Sequence, residues 1–399
     1  MARPELAFLA VRSFSAAGYF LLVPFFALWL IDYRGFSGPA AATVVAFCLF
    51  FGRAGGMLAA RFLNWMGLRY SVFVAYAIAT ITLAIMAIYK GESLFIWNVI
   101  GSLFGLSFSA ATAALKAMVA VSYTPKQLLR AFSMLNLAVN AGAAAGVAAG
   151  GFLVADAPNV FVWGSAALYG AAFLALLFVP ATTKTEKRSS ADTTATGSPM
   201  AFGFFLLFTG ITWVAYAQVF NVLPTLSAET IGSKAISYLF ILNSAMVIVL
   251  QAPITAAIEW FRKRNAQMAA LTVLPAAHLV LAASVLMFGF TGHSPVVLAY
   301  IAMILFTLTE LIWGPTYDSE ILNVKGHLSS VTAYGIAGAL RGGAESLGSW
   351  VGIAAVTSSV ALWPTDALSF WISSSALVAV AVYFLWLGIR QSGLKPLHG

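Results

Sequence analysis

Six charged side chains stand out within the long apolar stretches of this 399-residue chain. A charge in the hydrocarbon region of a membrane is costly, so residues of this kind tend to mark functional sites. The set holds three basic and three acidic residues: Arg12, Lys116, Glu310, Asp318, Arg341 and Glu345. We therefore expect the chemistry of the chain to depend on these six side chains.

The acidic members could take up and release protons. Glu310 lies near the middle of its apolar stretch, where a carboxyl group can change its protonation state as access to water alternates. Arg341 and Glu345 are four residues apart and share one helix face, so they could neutralise each other. Equally, Arg341 could pair with Glu310. We predict proton coupling at Glu310 first and Glu345 second, and we include Asp318; a fixed structural ion pair is the alternative.

The remaining charges lie nearer the ends of their stretches. Lys116 and Asp318 are 202 residues apart and occupy corresponding places in the two halves of the chain. An ion pair between them could therefore hold the two halves together. Arg12 could bind substrate, or its side chain could extend to the lipid head groups.

Neutral polar and aromatic side chains in the same stretches could orient an amphipathic ligand. Alternatively, they could only form hydrogen bonds between helices. These substrate-cavity candidates are Tyr19, Asn136, Asn140, Tyr216, Gln218, Asn221, Asn243, Trp313, Tyr317 and Tyr334.

Composition identifies the elements that must position these groups. Hydrophobic residues make up 61% of the chain and charged residues only 9%, whereas an ordinary soluble domain has about 25% charged residues. The single cysteine, Cys48, excludes a disulfide scaffold. A membrane-spanning helix needs about 20 mostly apolar residues. Twelve stretches qualify: 6–31, 38–60, 68–89, 94–121, 130–154, 160–180, 201–227, 235–259, 266–289, 295–319, 332–357 and 366–389.

The basic residues predict the orientation of these stretches. Of the 21 Lys and Arg residues, 15 fall in segments on the side of the N-terminus and 3 in the opposite loops. Basic residues are retained on the cytoplasmic side, so both termini are expected in the cytoplasm. The net charge of +8 then reflects topology and does not indicate nucleic-acid binding.

The polar segment 181–199 divides the stretches six and six. We expect it to be a cytoplasmic linker between an N-terminal bundle, 1–180, and a C-terminal bundle, 200–399. A shift of about 200 residues aligns Pro24 with Pro224 and Gly146 with Gly348, which indicates an internal repeat. Parallel repeats of this kind are typical of transporters that bind substrate near the midplane and rock two bundles against each other.

The loop after the second stretch resembles the signature of the major facilitator superfamily, Gly-x-x-x-Asp-Arg-x-Gly-x-Arg. Gly56, Arg61, Gly67 and Arg69 match it, while Ala60 replaces the acidic residue and the spacing is about three residues longer. The resemblance implies an all-α membrane fold of twelve transmembrane helices in two six-helix bundles related by pseudo-two-fold symmetry. It also implies a gating role for this loop, although the latch that the acid supplies in the family is missing.

Glycines recur every four residues in the fifth stretch, at Gly142, Gly146 and Gly150. This pattern resembles the glycine-rich fifth helix of the drug:proton antiporters, and close helix packing is the alternative interpretation. The resemblance implies efflux of the multidrug type.

Taken together, the sequence predicts a proton-coupled secondary transporter that exports a small amphipathic molecule, drug-like or an anionic or zwitterionic metabolite, by alternating access. The alternatives are a dedicated exporter of an endogenous product such as a siderophore, peptide or lipid, a proton symporter that imports a metabolite, and a membrane receptor without transport. No ATP-binding motif or metal-ligand spacing is present, so we expect no enzyme activity, no cofactor and no metal, with the proton gradient as energy source. We expect a monomer in the bilayer of the bacterial inner membrane.

Overall fold

The computed structural model describes residues 3–59, 62, 65–122, 125–179, 199–225, 231–264, 266–289, 295–324, 328, 330–357 and 367–391. Within this part of the chain the secondary structure is helical and contains no strand. Each of the twelve predicted stretches is largely helical over its described residues. The prediction of an all-α chain is therefore confirmed.

The helices are numbered in chain order. Those of the N-terminal half are α1 (Arg3–Leu22), α2 (Phe26–Asp32), α3 (Gly38–Leu58), α4 (Leu68–Ile88), α5 (Leu94–Ser122), α6 (Pro125–Asp156) and α7 (Pro158–Leu176). Those of the C-terminal half are α8 (Pro199–Ala217), α9 (Ser233–Arg264), α10 (Ala266–Gly289), α11 (Pro295–Val324), α12 (Ser330–Thr357) and α13 (Ala367–Gln391).

Several helices extend beyond the apolar stretches that predict them. α6 begins at Pro125 rather than 130, and α9 continues to Arg264 rather than 259. A helix satisfies its own backbone hydrogen bonds, so it can continue into a polar region after the apolar run has ended. Proline at the first helical position suits the start of α6, because the N–H that proline lacks has no helical partner there.

Two prolines interrupt the first long helix of each half. Pro24 lies in the 3₁₀ segment Val23–Phe25, which joins α1 to α2. Pro224 follows the π-helical segment Gln218–Val222 at the end of α8. Proline lacks an N–H and its ring clashes with the carbonyl group four residues earlier, so the helical hydrogen-bond pattern changes locally. The pair of prolines aligned by the predicted repeat thus disturbs corresponding helices.

Helix length and hydropathy identify the chain as an integral membrane protein that crosses the bilayer several times. Nine helices in the described ranges are long and apolar enough to span a membrane. Shorter apolar helical segments lie at Val273–Gly289 and Trp371–Leu387. The count of twelve crossings and the cytoplasmic position of the termini stay predictions.

The chain divides into two compact units that differ from the predicted halves. The first unit comprises Met1–Arg188, Phe220–Ser244 and Ser349–Ser359, and the second unit comprises the remaining segments, Ser189–Val219, Ala245–Gly348 and Val360–Gly399. In the first unit α1 packs against α6 and α7, and α5 packs against α3 and α4. In the second unit α13 packs against α8 and α10, and α10 also packs against α11. The boundaries 1–180, 181–199 and 200–399 stay a prediction.

Glycines bring helix backbones together in both units. A Cβ atom at Gly146 of α6 would overlap the carbonyl oxygen of Ala17 on α1. A Cβ atom at Gly348 of α12 would lie 2.6 Å from the carbonyl oxygen of Val214 on α8. Because the same helix pair of each half makes this contact, the packing recurs at the spacing of the predicted repeat.

Within the first unit, α6 meets the start of α9, which lies on the other side of the linker in sequence. Nζ of Lys234 lies 2.7 Å from Oδ2 of Asp156 and 5.6 Å from the ring centre of Phe152. One turn away, a Cβ atom at Gly151 would overlap Oγ of Ser237 and lie 2.9 Å from the carbonyl oxygen of Ser233. Glycine at this position therefore permits direct contact between the two helices.

Candidate functional site: a carboxylate–aromatic cluster

Glu310 of α11 accepts a hydrogen bond from a tyrosine of α8. The hydroxyl group of Tyr216 lies 2.7 Å from Oε1 of Glu310. Tyr216 is 8% exposed, whereas Glu310 is half-buried. A carboxylate that accepts a hydrogen bond from a neutral hydroxyl can still take up a proton, since each carboxyl oxygen has two lone pairs. This geometry suits a group that alternates between two protonation states.

Arg341 and Glu345 lie on one face of α12, as their spacing predicts. Nε of Arg341 lies 3.8 Å from Oε2 of Glu345, an ion-pair distance that is too long for a hydrogen bond. The Glu345 side chain is 5% exposed and the Arg341 side chain 32% exposed. This contact agrees with the pairing of Arg341 with Glu345, and a pairing of Arg341 with Glu310 stays a prediction.

Arg341 also lies on the face of Trp213, a residue of α8. The guanidinium carbon is 3.5 Å from the ring centre of Trp213, which is a close cation–π contact. Tyr216 lies near enough to interact electrostatically with Glu310, Arg341 and Glu345. The two carboxylates and the guanidinium are therefore parts of one site.

Aromatic rings enclose these charges. The ring centres of Trp213 and Trp313 are 4.7 Å apart, and those of Trp213 and Tyr216 are also 4.7 Å apart. The ring centre of Phe306 lies 5.0 Å from that of Tyr216. We call the residues Trp213, Tyr216, Glu310, Trp313, Arg341 and Glu345 the carboxylate–aromatic cluster. All six belong to the second unit.

Two indole groups of the cluster offer hydrogen-bond donors. Nε1 of Trp213 and Nε1 of Trp313 are buried and have no hydrogen-bond partner among the residues that the structure describes. A buried donor that is left unpaired is unfavourable. A ligand that brings an acceptor group to these indoles would remove that cost.

Tyr317 and His278 extend the aromatic surface at its edge. The ring centre of Tyr317 lies 5.9 Å from that of Trp313 and 5.5 Å from that of Phe205. His278 is fully buried, its Nδ1 lies 2.8 Å from the carbonyl oxygen of Leu274, and its ring lies 5.5 Å from Trp313. The His278 ring thus packs against the aromatic residues at this position.

Other polar candidates form hydrogen bonds between or within helices. Gln218 donates to the carbonyl oxygen of Gly348 at 3.1 Å, and Asn221 donates to Oγ of Ser349 at 3.0 Å. Asn140 donates to the carbonyl oxygen of Asn136 at 3.0 Å, and the Asn136 side chain is exposed. Asn243 is buried on α9. None of these belongs to the carboxylate–aromatic cluster.

The basic candidates of the N-terminal half lie in the first unit. Arg12 donates to Oγ1 of Thr112 on α5 at 3.0 Å, and its role in substrate binding stays a prediction. Tyr19 is buried and stacks on Phe108 with ring centres 3.9 Å apart. Lys116 is exposed on α5.

The loop that matches the family signature is described in part. Gly56 donates from its backbone N–H to Oγ of Ser109 at 2.7 Å. Gly67 precedes α4 with a φ of +80°, a conformation that favours glycine. Arg69 donates to the carbonyl oxygen of Val179 at 2.7 Å. The gating role of the loop stays a prediction.

Three candidates lie outside what the structure describes. They are Arg61 and the side chains of Asp318 and Tyr334. The predicted ion pair between Lys116 and Asp318 therefore stays a prediction.

Sequence reasoning did not single out Trp213. The sequence around a tryptophan in an apolar helix does not indicate which side chain it contacts. The one available signal is spacing, because Trp213 and Tyr216 are three residues apart and share a helix face.

The comparisons with known proteins agree with a membrane carrier. The family model of the Major Facilitator Superfamily matches residues 8–349. The chain therefore belongs to the major facilitator superfamily. Its members are membrane carriers and not enzymes, so the predicted family and the predicted lack of enzyme activity are both confirmed.

Solved structures share the fold at low sequence identity. A D-xylose-proton symporter is 17% identical, with 98% of this chain and 99% of that chain covered and a TM-score of 0.71. The nucleoside transporter NupG is 12% identical, with 98% and 100% covered and a TM-score of 0.72. A bacterial homologue of the human drug peptide transporters PepT1 and PepT2 is 15% identical, with 97% of each chain covered and a TM-score of 0.67.

No curated protein matches the chain significantly. The drug:proton branch predicted from the glycines has no support in these comparisons.

Proposed function

We propose that the chain is a proton-coupled secondary transporter of a small amphipathic molecule, with Glu310 as the principal protonation site and Glu345 as the second. The main observation that supports this proposal is the hydrogen bond from Tyr216 to Glu310, beside the Arg341–Glu345 pair. Protonation of either carboxyl group changes the charge balance around Arg341. A change of this kind can bias a conformational equilibrium, since a ligand shifts an equilibrium by its differential affinity for the two states.

Two of the similar structures support the proposal that the coupling ion is the proton. One is described as a D-xylose-proton symporter and another as informing on proton dependent oligopeptide transporters. No ATP-binding motif is present in the sequence, so we propose the proton gradient as the energy source, without a cofactor.

The carboxylate–aromatic cluster also suggests the character of the substrate. The faces of Trp213, Trp313 and Tyr216 offer apolar contact area, and the two indole N–H groups offer donors. Sites for small ligands combine an apolar surface with a few placed polar groups. The proposed substrate is therefore amphipathic and carries at least one hydrogen-bond acceptor.

Export is the direction that the sequence predicts, through the glycines of α6. In the structure Gly142, Gly146 and Gly150 lie against the backbone of α1. Close packing accounts for these glycines, so they do not distinguish export from import. Import by symport is the second candidate function, and the D-xylose-proton symporter supports it.

We propose that the protein functions as a monomer in the bacterial inner membrane.

The pH dependence of substrate affinity tests coupling and direction together. A thermal-shift screen of the purified protein supplies a ligand, whose affinity is then measured from acidic to neutral pH. Antiport requires that proton and substrate compete, so affinity falls as the pH is lowered. Symport requires that they bind together, so affinity rises as the pH is lowered.

Glu310→Gln identifies the protonation site. This variant is expected to lose most of the pH dependence of substrate affinity. The matched control is Glu92→Gln in the exposed connection before α5, which should keep it. An unchanged pH profile in Glu310→Gln would exclude Glu310 as the coupling site. Counterflow in proteoliposomes with an imposed pH gradient then gives the direction of net transport.

A further inference from the structure

A second polar cluster lies within the first unit, far in sequence from the carboxylate–aromatic cluster. It consists of Arg12 on α1, Tyr76 on α4, Thr112 on α5 and Tyr169 on α7. We call these four residues the arginine–tyrosine cluster. Its side chains supply hydrogen-bond donors, and none of the four carries a negative charge.

Arg12 has no carboxylate partner in the described part of the chain. One nitrogen donates to Oγ1 of Thr112 at 3.0 Å, and the guanidinium carbon lies 5.9 Å from the ring centre of Phe108. A guanidinium group has five N–H donors, so most of them remain available. A cation in an apolar helix bundle is unfavourable unless an anion and hydrogen bonds compensate it.

Two tyrosine hydroxyl groups add unpaired donors. Tyr76 is 1% exposed and Tyr169 is 0% exposed, and their ring centres are 6.1 Å apart. Neither hydroxyl has a hydrogen-bond partner among the described residues. Ser15 lies beside Tyr76; its hydroxyl donates to the carbonyl oxygen of Arg12 at 3.1 Å and can still accept from the tyrosine. Both tyrosine hydroxyls lie close enough to Arg12 to interact with its charge.

Acidic residues are few in the helices that surround the cluster. Between residues 1 and 179 the acidic residues are Glu5, Asp32, Glu92 and Asp156, and Glu5 lies near the start of α1. Asp32 ends α2, Glu92 lies in the connection before α5, and Asp156 ends α6. Arg53 adds a second positive charge that acts on Arg12. Arg12 therefore brings a positive charge to the cluster, with the charge of Arg53 nearby.

We propose that the arginine–tyrosine cluster binds a monovalent anionic group, and that a carboxylate is the group that fits it. A carboxylate can accept two parallel hydrogen bonds from a guanidinium fork. Its remaining lone pairs can accept from the hydroxyls of Tyr76 and Tyr169. The occupant is the carboxylate of a transported molecule, which rests on the proposed function, or a free small anion such as chloride.

Thermal unfolding of the purified full-length protein tests this site with acetate as the probe. At constant pH and ionic strength, acetate is expected to raise the Tm saturably by about 1–2 °C, because a ligand of the folded state stabilises it by mass action. Acetamide has nearly the same shape without the charge and should give no rise. A larger rise with acetate than with chloride assigns the site to carboxylates, and an equal rise assigns it to small anions in general.

Variants decide whether the response comes from this cluster. Tyr169→Phe removes an unpaired hydroxyl, so the Tm without acetate should not fall, and Tyr76→Phe removes a hydroxyl that lies beside Ser15. Both are expected to lose most of the rise that acetate causes, and Arg12→Gln all of it. Arg34→Gln, which removes an arginine outside the cluster in the connection after α2, should keep the full rise.

Two results would overturn the proposal. One is a wild-type protein whose Tm responds alike to acetate and acetamide. The other is a rise that survives in Arg12→Gln and in both phenylalanine variants. Glu310→Gln separates this proposal from proton coupling, because it lies in the other unit and should retain the response to acetate. If Glu310→Gln has the same pH profile as the wild type, the proposed coupling site is excluded. The proposal of an anion site would not be affected by that result.

Discussion

The hydroxyl group of Tyr216 on α8 donates a 2.7 Å hydrogen bond to Oε1 of Glu310 on α11. These residues are 94 positions apart, and the contact joins two helices of the second unit. Trp313 lies one turn from Glu310 on α11 and 5.8 Å from the Tyr216 ring. The protonation site proposed for this carrier is thus fixed in an aromatic environment.

Replacing Tyr216 with Phe should change the pH profile of transport. The substitution removes one hydrogen bond to an ionisable carboxyl group, which is worth about 1.5–3 kcal/mol when the group is charged. Since one pH unit corresponds to about 1.4 kcal/mol, the midpoint of the profile is expected to move by about one to two pH units. The measurement is the initial rate of substrate flux in proteoliposomes over a pH series.

Tyr383→Phe is the control for that variant. Tyr383 is exposed on α13 and belongs to the same unit. If both tyrosine variants keep the wild-type midpoint, the hydroxyl of Tyr216 has no part in coupling.

Removing Arg341 should destabilise the fold more than removing an exposed partner of an ion pair. Arg341→Gln leaves the buried Glu345 without its cation and abolishes the cation–π contact with Trp213. A loss of about 1–3 kcal/mol in the free energy of unfolding is expected, because a buried charged group loses its partner. Adding Glu345→Gln should restore part of that loss.

Lys234→Gln provides the comparison, since Lys234 and Asp156 are about half exposed. Exposed ion pairs contribute about 0–1 kcal/mol. Chemical or thermal unfolding in detergent gives the three free energies. Equal losses in Arg341→Gln and Lys234→Gln would show that burial adds nothing to the Arg341–Glu345 pair.

A side chain at Gly151 should separate α6 from α9. A Cβ atom there would overlap Oγ of Ser237, so Gly151→Val requires one of the helices to move. The reporter is Ser237→Cys in a Cys48→Ala background, which is otherwise free of cysteine because Cys48 is the single cysteine. Ser237 is fully buried, and labelling by a hydrophilic maleimide should rise severalfold in the Gly151→Val variant.

Gly203→Val is the matched control, because a Cβ atom at Gly203 would have no atom within 4 Å. Its labelling should equal that of the parent protein. Equal labelling in all three proteins would mean that Gly151 is not needed for contact between the two helices.

Alanine at the packing glycines should have the opposite effect from alanine at an open glycine. Gly146→Ala and Gly348→Ala each place a methyl group against a helix backbone that cannot rotate away, and overpacking costs about 1–3 kcal/mol. Gly203→Ala meets no neighbour and should stabilise its helix by about 0.5–1 kcal/mol. Thermal unfolding of the purified variants measures both signs. A stabilised Gly146→Ala variant would contradict the close approach of α6 to α1.

Part of the candidate site can be predicted from sequence because charge in a membrane is expensive. Glu310, Arg341 and Glu345 stand out against apolar neighbours, and the four-residue spacing of the last two places them on one helix face. Trp213 does not stand out, since tryptophan is common in apolar helices. Tyr76 and Tyr169 are likewise inconspicuous, because an unpaired hydroxyl is recognisable only when the surrounding helices are known.

The sequence by itself determined that this chain is a helical membrane protein and where its helices lie. The reason is local: a long apolar segment can satisfy its backbone hydrogen bonds in lipid only by forming a helix. It also determined the family, through the signature loop and the repeat. Only the tertiary structure decided which helices meet, because helix packing depends on side-chain shape across large separations in sequence. The hydrogen bond from Tyr216 to Glu310 and the unpaired donors around Arg12 result from that packing.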